Sequence, residues 1–339
     1  MAVHLRTTEA TLSAQMLAII LAAGKGTRMR SAVPKVMHKV GGLEMVRHVI
    51  AATQAAGIKD CALVVSEGAD WAQKLEGAPA THVQDPPLGT AHAVLAARTA
   101  VTADHDAVLV LFADNPLMRA ETIANVCARV EAGADVVVLA FQAADPAGYG
   151  RVLLDENGVA AIREERDASD AERQVTLCNS GIMAIRTGAA FHALDEIGCQ
   201  NAKGEYYLTD LVAIARAKGL TVAVEEAPAD EVLGVNDRAQ LAEAEAVFQQ
   251  RMRAAVLHHA TLEAPQTVFF SHDTVLHEDV HVEPHVVFGP GVEVARGARV
   301  RAFSHLEGAT VGEGASIGPY ARLRPGSDIG PKARVGNFV

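Results

Sequence analysis

The stretch IILAAGKGTRMRSAVPKVMHKVGG, from Ile19 to Gly42, passes from an apolar run through a glycine-rich loop into a cluster of positive charge. The apolar run begins at Met16, is too short to cross a bilayer and is typical of a central strand in a parallel sheet. Gly24 and Gly26 allow the chain to turn sharply after that strand and to approach another molecule closely. The stretch therefore predicts a strand followed by a ligand-binding loop.

The loop is a candidate phosphate site, although it matches neither standard phosphate-binding motif. The dinucleotide fingerprint needs a further glycine and the P-loop needs Gly-Lys-Ser/Thr, but Met29-Arg30-Ser31 stands at those positions. What remains is a run of backbone N–H groups flanked by basic side chains, which suits a polyphosphate. These side chains are Lys25, Arg28, Arg30 and Lys35. The alternative is an ordinary strand-to-helix turn with solvated cations.

Length, charge and cysteine spacing narrow the class of protein. The 339 residues suggest two domains, and the net charge of −11 argues against nucleic acid as the main partner. The four cysteines show no C-x-x-C spacing and indicate small buried residues of a reducing compartment. Residues 1–15 lack the apolar segment of a signal peptide, so we expect a disordered leader there. No run reaches transmembrane length, and we expect a cytoplasmic protein without a membrane partner.

Short apolar strands alternate with helical patterns up to about Gly219, which predicts βαβ units and a mostly parallel sheet. Ala62–Ser66 and Val108–Phe112 are two of these strands. Asp114 follows the second one, at the sheet edge where ligands of such folds bind. A carboxylate there suits a hard cation such as Mg²⁺, and the alternative is a turn residue before Pro116.

Two further patterns follow the α/β region. Residues 236–259 lack glycine and proline and predict one long helix. Beyond it, apolar residues recur at every sixth position with one five-residue step, which is the hexapeptide periodicity of a β-helix. These anchors are Val282, Phe288, Val294, Val300, Leu306, Val311, Ile317, Leu323, Ile329 and Val335. The histidines of this region raise the possibility of a metal site, but their spacing favours surface positions. They are His272, His277, His281, His285 and His305.

Several motifs, taken together, resemble one bacterial family. LAAGKGTRM, GTAHA, GYGR, EYYLTD and GVNDR occur in that order, and the hexapeptide repeat follows them. The set is similar to the bifunctional N-acetylglucosamine-1-phosphate uridylyltransferase/glucosamine-1-phosphate acetyltransferase family over nearly all of residues 16–339. The resemblance implies an α/β fold with a Rossmann-like nucleotidyltransferase domain at 16–236. It further implies a linker helix at 237–260 and a left-handed parallel β-helix at 261–339.

The resemblance also implies roles for individual residues. Arg28, Lys35 and Asp114 would be catalytic, and Asp114 with Asn236 would bind Mg²⁺. The residues expected to bind the nucleotide are Leu21, Ala22, Ala23, Gly24, Gln84, Gly89 and Thr90, among which Gln84 would read uracil. The residues expected to bind the sugar are Gly150, Glu164, Asn179, Tyr207, Thr209 and Asn236. Ala113 and Ser180 stand where the family usually has glycine and threonine.

The implied reaction is uridylyl transfer from UTP to N-acetylglucosamine-1-phosphate. It yields pyrophosphate and UDP-N-acetylglucosamine, a precursor of peptidoglycan and lipopolysaccharide, and the implied assembly is a homotrimer. Of the family's acetyltransferase site, which uses acetyl-CoA, only Arg324 occurs before the sequence ends. We therefore expect a truncated chain that cannot acetylate glucosamine-1-phosphate. The alternatives are another sugar-1-phosphate nucleotidyltransferase and a non-catalytic trimeric hexapeptide-repeat protein.

Overall fold

The computed structural model describes residues 13–338, which form two compact units. One unit comprises residues 13–38 and 45–240, and the other comprises residues 39–44 and 241–338. Most of the expected leader at 1–15 lies outside the described residues. At its described end, the N–H groups of Ser13 and Ala14 donate to Glu131 Oε1 at 2.7 and 2.9 Å.

The first unit is built on a mostly parallel sheet, as the sequence predicts. Up to residue 226 the strands of the described chain are β1 (Met16–Leu21), β2 (Lys39–Val40), β3 (Leu43–Glu44), β4 (Asp60–Ser66), β5 (Ala80–Gln84), β6 (Ala107–Phe112), β7 (Val136–Gln142), β8 (Gly150–Asp155), β9 (Gly158–Arg163), β10 (Leu177–Arg186) and β11 (Val222–Glu226). The sheet has the order β11-β7-β10-β6-β1-β4-β5, and β8 pairs with both β10 and β9. Within that order β10 runs antiparallel to β6 and β7, and the other pairings are parallel.

Helices cover both faces of this sheet. The α-helices of the described residues are α1 (Met45–Ala55), α2 (Asp70–Gln73), α3 (Thr90–Ala96), α4 (Ala120–Glu131), α5 (Asp170–Arg173), α6 (Ala189–His192), α7 (Asp210–Ala217) and α8 (Arg238–Val256). Ile20 of β1 shares one buried cluster with residues of α1 and α4, whereas Ile19 shares another with residues of α3 and α7. Because both faces of β1 are buried, its sequence is apolar throughout rather than alternating.

The parallel register brings four strand ends to one edge of the sheet. Leu21 at the end of β1 lies opposite Phe112 at the end of β6, and Gln84 at the end of β5 lies opposite Ser66 at the end of β4. Loops that follow parallel strands therefore meet there, which is where ligands of open α/β sheets bind.

The second unit contains the β-helix predicted from the hexapeptide period. Its described strands are β12 (Thr261–Leu262), β13 (Val275–Leu276), β14 (His281–Val282), β15 (Val287–Phe288), β16 (Glu293–Val294), β17 (Arg299–Val300), β18 (His305–Leu306), β19 (Ala309–Val311), β20 (Ser316–Ile317), β21 (Arg322–Leu323), β22 (Ser327–Ile329) and β23 (Arg334–Val335). They form three parallel sheets, with the orders β12-β14-β17-β20-β23, β13-β16-β19-β22 and β15-β18-β21. One coil therefore takes three hexapeptides, one for each sheet.

The five-residue step is accommodated without loss of packing. His281 pairs with Arg299 eighteen positions later, whereas Arg299 pairs with Ser316 after seventeen. The shorter coil keeps its anchors inside, since Leu306 and Val311 are both fully buried. The anchors as a group build the core of this unit.

Helix α8 is shorter than the predicted 236–259 and lies on the first coil of the β-helix. Gln249 donates through Nε2 to the carbonyl of Phe270 at 2.7 Å and accepts the Phe270 N–H at 2.9 Å. The β2–β3 hairpin also belongs to this unit, since Gly41 N–H donates to Glu245 Oε2 at 2.7 Å. A helix with the length and hydropathy of a membrane span does not occur in residues 13–338.

Candidate active site

A cleft of about 460 Å³ opens at the carboxyl edge of the large sheet. Strand β1 and its loop, β5, the start of α3, the residues after β6 and the segment before α8 all contribute to its walls. The lining includes the following residues that the sequence assigns to nucleotide or metal: Leu21, Ala22, Ala23, Gly24, Lys35, Gln84, Gly89, Thr90, Asp114 and Asn236. Positions more than two hundred residues apart are therefore collected in one concave site.

One cationic and two oxygen-bearing side chains meet in this cleft. Lys35 Nζ forms an ion pair with Asp114 Oδ2 and lies 3.2 Å from Asn236 Oδ1. The Lys35 and Asp114 side chains are 11% and 16% exposed, so the pair is largely screened from water. Asn236 reaches it because the N–H of Val235 donates to the carbonyl of Asp114 at 2.9 Å. The ammonium shows that the two oxygens can serve one cation together.

The glycine-rich loop allows Lys35 to take this position. Gly26 has φ +59°, a conformation that other residues rarely adopt. A Cβ on Gly26 would lie 2.6 Å from Lys35 Cβ, so a side chain there would displace the lysine. Gly24, by contrast, has nothing within 4 Å of such a Cβ, which leaves its backbone open to a ligand.

The opposite wall of the cleft is a segment fixed by backbone bonds to residues 206–208. Tyr206 N–H donates to Leu88 O at 2.8 Å, and Ala91 N–H donates to Tyr206 O at 3.0 Å. Gly89 lies between them, and a Cβ there would lie 2.5 Å from Tyr206 O. The Thr90 hydroxyl accepts the N–H of Leu208 at 2.9 Å, so its oxygen helps to hold the wall.

The residues expected to bind the sugar gather beside β8, β9 and β10. Thr209 Oγ1 donates to Glu164 Oε1 at 3.1 Å, and a Cβ on Gly150 would lie 3.5 Å from the same oxygen. Asn179 lies opposite Gly150 in the β10–β8 pairing. Glu164 and Tyr207 line a second cavity of about 120 Å³.

Burial raises the pKa of two side chains in this second cavity. Burial raises the pKa of Glu164 above its usual value, against the hydrogen bond from Thr209, which lowers it. Burial also raises the pKa of Tyr207, as do the nearby carboxylates of Asp167 and Glu164. A polar ligand that donates to Glu164 would favour its ionised form.

Comparison with known proteins identifies the family. Residues 18–176 match the family described as the MobA-like NTP transferase domain. A "Bifunctional protein GlmU" from Azorhizobium caulinodans is 54% identical over 329 residues, which cover 96% of this chain and 73% of that protein. The chain belongs to the GlmU family. GlmU proteins from Sinorhizobium medicae and Brucella anthropi are 52% and 51% identical, over 95% and 87% of this chain.

The GlmU relatives are longer than this chain, which covers 72% of the Sinorhizobium medicae protein and 66% of the Brucella anthropi protein. The family resemblance inferred from the sequence motifs is confirmed, and so is the nucleotidyltransferase domain. A Bacillus anthracis structure named as a glucose-1-phosphate thymidylyltransferase is 20% identical, with a TM-score of 0.55 over 68% of this chain and 94% of that chain. That likeness concerns the fold alone.

Two residues that the sequence assigns to sites lie outside both the cleft lining and the group of expected sugar-binding residues. Arg28 is exposed on the short 3₁₀ helix Thr27–Met29. Arg324 is exposed in the β-helix, where its carbonyl accepts a hydrogen bond from Ser327 Oγ at 2.7 Å.

Several residues of the site were missed by the sequence analysis. Asn115 is buried and donates through Nδ2 to the carbonyl of Val232 at 2.9 Å, which ties the segment before Asn236 to the end of β6. Lys203 and Glu205 also line the cleft. Asn115 directly follows Asp114, so its place beside a strand end was the available signal, whereas nothing in the sequence marks Lys203.

Arg151, the last residue of the GYGR motif, is a further residue that the sequence analysis did not assign. Its side chain is 2% exposed, and its guanidinium lies 2.7 Å from Glu165 Oε2. It also donates to the carbonyl of Arg173 at 3.2 Å. The buried cation therefore holds the segment that carries Glu164.

Nucleotidyltransferases of the GlmU family use a divalent metal ion. Among the described residues, no group of three or more His, Cys, Asp or Glu side chains could hold a metal. Asp114 and Asn236 instead offer one carboxylate and one amide oxygen, which are hard ligands of the kind that Mg²⁺ binds while it keeps water and phosphate oxygens. The lysine ammonium between them marks a position that favours positive charge, so the donor set fits such an ion.

Proposed function

We propose that this chain catalyses Mg²⁺-dependent uridylyl transfer from UTP to N-acetylglucosamine-1-phosphate, which yields UDP-N-acetylglucosamine and pyrophosphate. The observation that carries the proposal is the convergence of Lys35, Asp114 and Asn236 in a cleft that Gln84 also lines. A nucleoside triphosphate fits this arrangement, with its phosphates at the charged end and its base beside the amide.

The chemistry requires positioning and charge neutralisation. A phosphate oxygen of the sugar phosphate attacks the α-phosphorus of UTP, and the bond to the leaving pyrophosphate breaks in line with it. The attacking group is already an anion, so no general base is needed. Mg²⁺ held by Asp114 and Asn236 would supply positive charge to the triphosphate. We propose that Lys35 and the backbone of Leu21–Gly24 bind and orient the phosphates, with Arg28 at the loop.

We propose that Gly150, Glu164, Asn179, Tyr207 and Thr209 form the site of the sugar. The supporting observation is that Gly150, Glu164 and Thr209 lie in contact, next to Asn179. A glycine at 150 leaves room beside the carboxylate, and hydroxyl groups of the sugar can donate to it.

Pyrophosphate release tests the proposal. The protein is assayed with each of the four common nucleoside triphosphates, with N-acetylglucosamine-1-phosphate and with glucose-1-phosphate as acceptors. We expect release only with UTP and N-acetylglucosamine-1-phosphate, loss of release in Asp114→Asn, and normal release in Asp104→Asn, an exposed control outside the cleft lining. Release with ATP or GTP and glucose-1-phosphate would instead support a different sugar nucleotidyltransferase, and no release with any pair would support a binding protein.

We further propose that the protein acts in the cytoplasm, where UTP is made, and that it assembles as a homotrimer through its β-helix. Light scattering at micromolar concentration tests the assembly, and a monomer would refute it. We propose that Arg324 contributes to the acetyltransferase activity implied by the resemblance. With residues 1–339 alone we expect only background thiol release from acetyl-CoA and glucosamine-1-phosphate.

A further inference from the structure

The carboxamide nitrogen of Gln84 lies within hydrogen-bond distance of a backbone carbonyl and of a histidine ring nitrogen. Gln84 is 5% exposed at the end of β5, and its Nε2 donates to the carbonyl of Gly89 at 2.9 Å. The same nitrogen lies 3.3 Å from Nδ1 of His92, in α3. An amide nitrogen carries two protons, and these two contacts use both of them when His92 carries its own proton on Nε2.

The carbonyl oxygen of Gln84 remains available. Within residues 13–338, Oε1 makes no hydrogen bond with the protein. It is not fully buried either, so a ligand can reach it. Because Gln84 lines the cleft, this oxygen is the polar group that its side chain can offer to a ligand. Gln84 thus acts toward the cleft as an acceptor, although a free amide could also donate.

The surroundings oppose the reversed orientation of the amide. A flip would place Oε1 against the carbonyl of Gly89, and two acceptors repel each other. Gly89 cannot move away easily, because Leu88 and Ala91 on either side of it are bonded to the backbone of Tyr206. His92 adds a second acceptor when its ring is neutral and carries its proton on Nε2. The imidazole therefore adds to the effect of the Gly89 carbonyl, and both favour the orientation in which Nε2 faces Gly89 and Oε1 faces the cleft.

We propose that His92 is a positioning residue that keeps the carbonyl oxygen of Gln84 toward the cleft, and that this orientation makes the site prefer uracil to cytosine. The inference rests on the proposed function. Uracil presents a ring N3–H, which can donate to Gln84 Oε1, whereas N3 of cytosine is an acceptor. Cytosine would leave two acceptors facing each other beside the largely buried Gln84, and unpaired polar groups of this kind give strong discrimination. His92 itself does not line the cleft.

Substitutions of His92 test the proposal through nucleotide selectivity. His92→Leu removes the acceptor, and His92→Asn can place an amide oxygen near the position of Nδ1. We expect the ratio of kcat/KM for UTP to that for CTP to fall at least about tenfold in His92→Leu. In His92→Asn the ratio should stay within about threefold of that of the unmodified protein. His92→Phe is a second variant without the acceptor, in case His92→Leu does not fold.

A double substitution asks whether His92 acts through Gln84. In a Gln84→Leu background, a further His92→Leu change should leave the UTP/CTP ratio unaltered, because the amide to be oriented is gone. Equal losses of kcat/KM with UTP and CTP in folded His92→Leu would overturn the inference and indicate a merely structural histidine. If the unmodified protein does not prefer UTP, the proposed function itself fails; if it does and His92 variants keep the ratio, only the inference about His92 fails.

Discussion

Replacing Asp114 with asparagine should separate the role of this carboxylate in catalysis from its role in stability. The substitution keeps the size of the side chain but removes the charge that pairs with Lys35. We expect kcat for pyrophosphate release to fall by at least about 10²–10³, the range found when one electrostatic stabiliser is removed. We also expect a loss of stability, because the largely buried Lys35 ammonium then faces only amide oxygens.

The stability loss can be worked out from the burial of the pair. Removal of one partner of a fully buried ion pair costs about 3–5 kcal/mol. Lys35 and Asp114 keep 11% and 16% exposure, and Asn236 Oδ1 still accepts from the ammonium, so we expect about 2–3 kcal/mol. For a unit of this size that corresponds to a fall in Tm of about 4–12 °C.

The double variant Lys35→Met/Asp114→Asn distinguishes the two roles. It leaves no unpaired charge, so it should recover most of the lost stability and none of the activity. Urea unfolding and pyrophosphate release would be measured on both single variants and the double variant. Additive stability losses would refute the coupling of the pair, and more than a tenth of the original kcat in Asp114→Asn at saturating Mg²⁺ would refute the catalytic role of the carboxylate.

Three further substitutions test other parts of the structure. Gly89→Ala should destabilise the protein by at least about 2 kcal/mol in urea unfolding and raise KM for UTP, because φ at Gly89 is +119° and the new Cβ would meet Tyr206 O. An unchanged KM would argue against this wall as part of the nucleotide site. Burial raises the pKa of Glu164 above its usual value of about 4.5, so the folded protein should lose stability as the pH rises from about 4.5 through the raised pKa. The free energy of unfolding of Glu164→Gln should not show this decline, and parallel pH profiles of the two proteins would contradict the prediction. Leu306→Ala, at a fully buried anchor, should cost the β-helix about 2–5 kcal/mol in urea unfolding, whereas the exposed control His305→Ala should cost less than about 0.5 kcal/mol.

The sequence predicted those features that local periodicity determines. The β-helix followed from a six-residue period because each hexapeptide supplies one strand, and Val300 and Ile317, which lie opposite each other in adjacent strands, are both fully buried anchors. Strands β1 and β6 followed from uninterrupted apolar runs, and their bounds differ from the predicted ones by no more than one residue. In each case the pattern reports burial directly, so no knowledge of distant contacts was needed.

The sequence did not predict features that depend on contacts between distant segments. The β2–β3 hairpin belongs to the β-helix unit, where the Gly41 N–H donates to Glu245. In the sequence, however, residues of the other unit precede and follow it. Asn115 looks like an ordinary turn residue until its bond to Val232 is seen. The orientation of the Gln84 amide likewise depends on a histidine eight residues away on another element. Residue types alone do not specify such pairings.

The position of Lys35 carries a consequence for the charge of the cleft. Asp114 and Asn236 direct their oxygens at one point, and the ammonium of Lys35 takes it. If Asp114 Oδ2 and Asn236 Oδ1 were to bind a metal ion through the lone pairs that now accept from the lysine, Lys35 would have to move. Its stem is long and flexible, and the bare loop at Gly24 offers triphosphate oxygens a place within its reach. The lysine thus neutralises the carboxylate in the free cleft, and under the proposed function it would become available to the phosphates once another cation balances that charge.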